Sequence, residues 1–60
     1  SPISFLTHMR VERAKALLRK NIPVSTVALK AGFNDLSNFN RQFKRQIGLT
    51  PSAYRDTLKL

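Results

Sequence analysis

Cysteine is absent from the 60-residue sequence, which excludes a disulfide framework and any thiolate metal site. The single histidine cannot take over as the basis of a structural zinc, and no metal ligand is expected. Acids are almost as scarce. Glu12, Asp35 and Asp56 are the full set, and they are too scattered to suggest paired carboxylates or a Ser-His-acid set. An enzyme is therefore not expected, and neither a catalytic residue nor a cofactor is assigned. Apolar runs stop at two or three residues, too short to cross a bilayer. No signal-peptide pattern opens the chain. With cysteine also missing, the cytoplasm is the expected compartment.

Positive charge is abundant. Eleven Lys and Arg against three acids give a net +8, a balance that suits a polyanionic partner: nucleic acid first, an anionic membrane second. The length allows one small domain, and such a chain buries only about 60% of its unfolded surface. The 42% hydrophobic content is nonetheless that of a globular protein.

The periodicity predicts four helices and no strand. The first is expected to start at Ser1-Pro2, with Ser as the cap and Pro at the first helical position, and to run to about Lys20. Ile3, Leu6, Val11, Ala14, Leu17 and Leu18 make its apolar stripe. Arg10 falls inside that stripe, and a buried Arg needs a partner; Asp35 and Asp56 are the candidates. Glu12 and Lys15 can pair on the outer face. His8 points outward. Met9 lies beside Phe5, filling an edge or facing a part not in this sequence. Asn21-Ile22-Pro23 breaks the helix. A second follows from Val24 to Ala31, closed by Gly32.

Asp35 then caps a third helix, Leu36 to Ile47. Its Leu36, Phe39, Phe43 and Ile47 recur at intervals of three, four and four, the mark of a buried stripe. That spacing assigns Phe39 and Phe43 to the core rather than to stacking on bases, and Tyr54 is read as core too. Gly48 ends the third helix. Thr50 caps the fourth, from Pro51 to about Lys59, with Leu49 stapled against Tyr54. Ser1-Pro2-Ile3-Ser4-Phe5 also echoes Thr50-Pro51-Ser52-Ala53-Tyr54, 49 residues later. Ser/Thr-Pro helix starts are common enough for coincidence; the alternative is a repeat whose earlier unit is missing.

The second helix, its turn and the third helix have the register of a helix-turn-helix. Ala28 is small where the helices must cross, Gly32 tolerates the turn, and Phe33 plugs it. In such a unit the second helix lies in the DNA major groove. The outward face offers Arg41 to fork onto a guanine edge and Asn38 or Asn40 to pair with adenine. Ser37, Lys44 and Arg45 suit phosphates, which fix register without reading sequence. Asn40 lies close to the buried stripe in angle.

The segments Arg10–Leu18, Val27–Phe33, Ser37–Arg45 and Gly48–Arg55 resemble, in this order, the DNA-binding domain of AraC/XylS transcription regulators. The resemblance covers nearly the whole chain. It implies an all-α, homeodomain-like helix-turn-helix unit of four helices with a long N-terminal linker helix. The family's domain holds two helix-turn-helix units joined by a helix. The sequence matches the joining helix (1–20), the second unit (24–47) and the closing helix (51–59). It therefore reads as a fragment of a longer regulator, with another unit expected upstream.

The resemblance further implies sequence-specific binding of double-stranded promoter DNA by a bacterial transcription regulator, in the sense of an activator, with RNA polymerase as a further partner. Leu36, Ser37, Asn38, Asn40 and Arg41 fall at family positions near bases or backbone. Leu36 departs in character and can offer only apolar contact, such as to a thymine methyl. Where this chain has Asn38 the family often has Tyr. Two other readings compete. A cationic amphipathic membrane binder is disfavoured by the placed Gly and Pro stops. A basic helical module that meets an acidic protein stays open.

Overall fold

Short polar side chains set where the helices begin. In the computed structural model, which describes residues 4–59, the Ser4 hydroxyl accepts from the Thr7 backbone N–H at 3.1 Å. Asp35 Oδ1 accepts from the Asn38 N–H at 2.7 Å, and Thr50 Oγ1 from the Ala53 N–H at 3.1 Å. Each supplies an acceptor to a first-turn N–H that the helix itself cannot satisfy. The described elements are α1 (Phe5–Leu17), α2 (Val24–Ala31), α3 (Leu36–Ile47) and α4 (Pro51–Thr57); no strand occurs among the described residues. The helix preceded by Pro23 has no side-chain cap. Gly32 (φ +100°) and Gly48 (φ +90°) end α2 and α3 in the left-handed region, which a side chain would strain.

Three boundaries differ from expectation. Ser4 caps α1, so the helix opens at Phe5; the expected start at Ser1-Pro2, and Ile3 with it, lie outside the described residues. The same helix stops at Leu17, not Lys20, because Leu18 to Asn21 turn towards α2. Arg55 on α4 holds that turn: its Nε donates to the Leu18 carbonyl at 3.1 Å, and its Nη2 to those of Lys20 at 3.2 Å and Ile22 at 2.7 Å. At the far end, α4 closes at Thr57 rather than Lys59.

The core gathers Val11, Ala14, Leu17 and Leu18 from the first segment, Val27, Ala28 and Ala31 from α2, Phe33 from the turn, and Phe39 and Phe43 from α3. Ile22, Val24, Ile47 and Tyr54 pack against it. A row of rings ties three segments together: Phe33–Phe39 at 5.1 Å, Phe39–Phe43 at 5.7 Å and Phe43–Tyr54 at 5.6 Å. Their tilted and edge-on arrangements are those the ring quadrupole favours. Leu49, expected to staple against Tyr54, is exposed, and Tyr54 turns to Phe43 instead.

The apolar stripe of α1 divides in two. Val11, Ala14 and Leu17 are buried. Ahead of them Leu6 is 55% exposed, with Phe5 at 77% and Met9 at 52%. The core is therefore assembled on the second half of α1 only. Arg10 corrects another expectation. It pairs with neither Asp35 nor Asp56, because Asp35 caps α3 and Asp56 lies 3.5 Å from Lys59. The Arg10 stem covers the glycine turn, where a Cβ on Gly32 would come within 3.1 Å of Arg10 Nε. The pairing of Lys15 with Glu12, at 3.4 Å, is as expected. No helix of the described residues is long and apolar enough to cross a membrane.

Candidate nucleic-acid interface

The face that α3 offers to solvent follows from the face it hides. Phe39 and Phe43 are fully buried. With about 3.6 residues per turn, hiding that pair turns Ser37, Asn40, Arg41, Lys44 and Arg45 outward, and all five are exposed. Asn38 sits at the edge, half-buried. Leu36 is a correction: the stripe read it as core, yet it is 43% exposed. It is the first residue of α3, at the end of the stripe, where the core residues of the helix are Phe39 and Phe43. Every other sequence-predicted site residue lies on or beside the outward face of α3, while Leu36 stands on the side of Phe39 and Phe43 and is exposed at the start of the helix.

Hydrogen bonds fix how that face is held. The Phe33 N–H donates to the Ala28 carbonyl at 3.0 Å, the longer bond of a Schellman turn, so α2 and the turn are locked together beside Ala28. The Asp35 cap then starts α3. At the other end, the Gln46 side-chain amide meets His8 Nδ1 of α1 at 2.8 Å. Held at both ends and packed through its rings, α3 presents its outer side chains on a fixed frame.

The electrostatics are one-sided. Among the described residues the ion pairs are Lys15–Glu12 and Lys59–Asp56, so Arg41, Lys44 and Arg45 have no carboxylate partner. Lys44 and Arg45 lie in the last turn of α3, where a cation is favourable against the helix dipole. That accounts for their tolerance but not for Arg41 nearer the start. Arg41 Nη2 donates to Asn38 Oδ1 at 3.1 Å, one turn away on the same face.

Three contacts escaped the sequence reading. Arg55 clamps the α1–α2 turn, Gln46 meets His8, and Arg13 Nε donates to the Lys30 carbonyl at the end of α2, at 3.2 Å. Each joins residues distant in sequence, which helical spacing cannot reveal. A cation beside the C-terminal carbonyls of a helix is a recognised stabilising placement, but nothing in the sequence says which helix Arg13 will reach.

Comparison with known proteins agrees with this geometry. A family model described as a helix-turn-helix domain matches residues 1–57. Among curated proteins, the chain is 39% identical over 56 residues to the HTH-type transcriptional regulator MtrA of Neisseria gonorrhoeae, covering 92% of this chain and 19% of that protein. It is 32% identical over 60 residues to the RCS-specific HTH-type transcriptional activator RclR of Escherichia coli, covering 98% and 21%. To the arabinose operon regulatory protein of Escherichia coli it is 38% identical over 56 residues, covering 92% and 19%. The chain thus spans about a fifth of the length of these relatives. No solved structure matches it at comparable significance.

Proposed function

The chain belongs to the AraC/XylS family of helix-turn-helix regulators, and from that premise we propose that it is the part of a bacterial transcription regulator that binds promoter DNA sequence-specifically. Residues 24–47 form the reading unit, and the segments 1–20 and 51–59 serve as linker and closing helix. The observation that carries the proposal is the two-sidedness of α3. Phe39 and Phe43 are sealed inside, while Ser37, Asn40, Arg41, Lys44 and Arg45 stand exposed on the other side.

Laid in a major groove, α3 brings Arg41 to base edges, where a guanidinium forks onto guanine. Asn40 is the candidate for adenine. Exposed Leu36 meets a thymine methyl. Ser37, Lys44 and Arg45 take phosphates and set the register. The whole regulator works in the cytoplasm as an activator and touches RNA polymerase as well as DNA. RclR is named as an activator, which supports that sense of regulation. A second helix-turn-helix unit upstream would cover the open apolar surface of Phe5, Leu6 and Met9. Two units on one chain then bind more tightly than either alone, through effective concentration.

The test is a titration of duplex DNA against salt. The logarithm of the affinity should fall with the logarithm of salt at a slope of about −0.9 per phosphate contacted. Lys44→Ala should make that slope shallower by about 1 and weaken all sequences alike. A salt-independent affinity, or equal binding to polyacrylate, would overturn the reading and favour an acidic protein partner.

A further inference from the structure

The bond between Arg41 and Asn38 changes what both residues can recognise. We propose that Asn38 is a positioning residue, which holds the Arg41 guanidinium so that Arg41 reads one guanine. This rests on the DNA-binding role proposed above and adds a division of labour within it.

The argument is an inventory of donors and acceptors. Asn38 has spent its backbone N–H on Asp35 Oδ1 at 2.7 Å. Its side-chain Oδ1 receives Arg41 Nη2 at 3.1 Å. Its Nδ2 amide has no partner among the described residues. A guanidinium has only donors, so with Oδ1 engaged by Arg41 the donors offered to a base are those left free on the guanidinium. Guanine shows two acceptors in the major groove, N7 and O6, which suits such a surface. Adenine shows one acceptor and one donor, and Asn reads it by accepting with Oδ1 while donating with Nδ2. The Oδ1 that adenine would need is the atom Arg41 occupies. Asn38 therefore acts through Arg41 and leaves adenine to Asn40.

The geometry also explains how a long side chain gains selectivity at an exposed position. Residues three apart on a helix lie one above the other. Asn38 is anchored at the first turn beside the Asp35 cap, so its carbonyl oxygen is a fixed post for the guanidinium. An Arg so held loses fewer rotamers on meeting a base than an unrestrained one. Its fork then favours one orientation on one base.

A selection from a pool of duplexes with randomised sequence tests this on the full chain, with wild type, Arg41→Ala, Asn38→Ala, the double variant and Asn38→Asp. Wild type should enrich guanine at one position by about tenfold or more over the other bases. Arg41→Ala and Asn38→Ala should each erode that preference, and the double variant should erode it no further than Arg41→Ala alone. Helical content and unfolding temperature should stay unchanged, because Asn38 supports nothing in the core. Asn38→Asp keeps an oxygen that accepts from Arg41 and loses the amide donors. It should retain the guanine preference while its added negative charge lowers affinity for all sequences.

The inference is overturned if Asn38→Ala leaves the guanine preference intact, if it removes an adenine preference instead, or if the two single changes act independently. Loss of the guanine preference in Asn38→Asp, with Arg41 still required, would also overturn it, because the amide would then be the reader. A pool that wild type does not enrich at all defeats the proposed function itself.

Discussion

At the start of α1, Phe5, Leu6 and Met9 lie open to solvent, whereas on α3 Phe39 and Phe43 are wholly enclosed. Both sets stand at helical spacing, and in the sequence both belong to apolar surfaces. What separates them is company. The rings of α3 meet Phe33 on one side and Tyr54 on the other, while no described core residue precedes Val11. Periodicity therefore states which side chains share a face. Whether that face is covered depends on other segments.

The contrast can be broken most severely at Phe43. Replacing Phe43 by Ala should cost about 3–5 kcal/mol, enough to unfold most of a domain this small. Urea or thermal unfolding followed by circular dichroism would show it, and a loss under 1 kcal/mol would mean that the row of rings is not the keystone it is taken for. Next comes Arg55→Ala. Removing a charged donor from three backbone carbonyls should cost about 2 kcal/mol. Hydrogen exchange should then quicken first in the turn from Leu18 to Ile22, ahead of α3.

Smaller still is Asp35→Ala, which removes the cap of α3. It should cost about 1 kcal/mol, with fraying visible in the amides of the first turn, Asn38 foremost. The smallest effect belongs to the other side of the contrast. Phe5→Ser, at an exposed position, should change the stability of this chain by less than about 0.5 kcal/mol. In a parent protein whose upstream unit sits on that surface, the same substitution should be clearly destabilising. Equal effects in the two settings would remove the support that Phe5 lends to an upstream partner.

Much of the candidate interface was legible beforehand because it rests on local rules. The Asp35 cap, the Gly32 and Gly48 stops and the inward turn of Phe39 and Phe43 each depend on a few neighbouring residues, and the outward position of Arg41, Lys44 and Arg45 follows from them. Leu36 was misjudged as core because a helical stripe does not know where its neighbours end. Leu36 is the first residue of α3, where the stripe runs out at the surface and leaves it 43% exposed. The partners assigned to Arg10 failed for a similar reason. Charge complementarity selected Asp35 and Asp56, but one is spent on a helix N-terminus and the other lies beside Lys59.

By itself the sequence determined the four helices, the Asp35 and Thr50 caps, the Gly32 and Gly48 stops, the face α3 hides and the charge of the face it shows, since all of these arise within a turn or two of the chain. Tertiary structure alone decided that half of the α1 stripe is covered and half bare, and that Arg55 reaches back across more than thirty residues to hold a turn. It also decided that Leu36 joins the surface. Contacts between distant segments depend on how helices cross, and that crossing is a property of the packed whole.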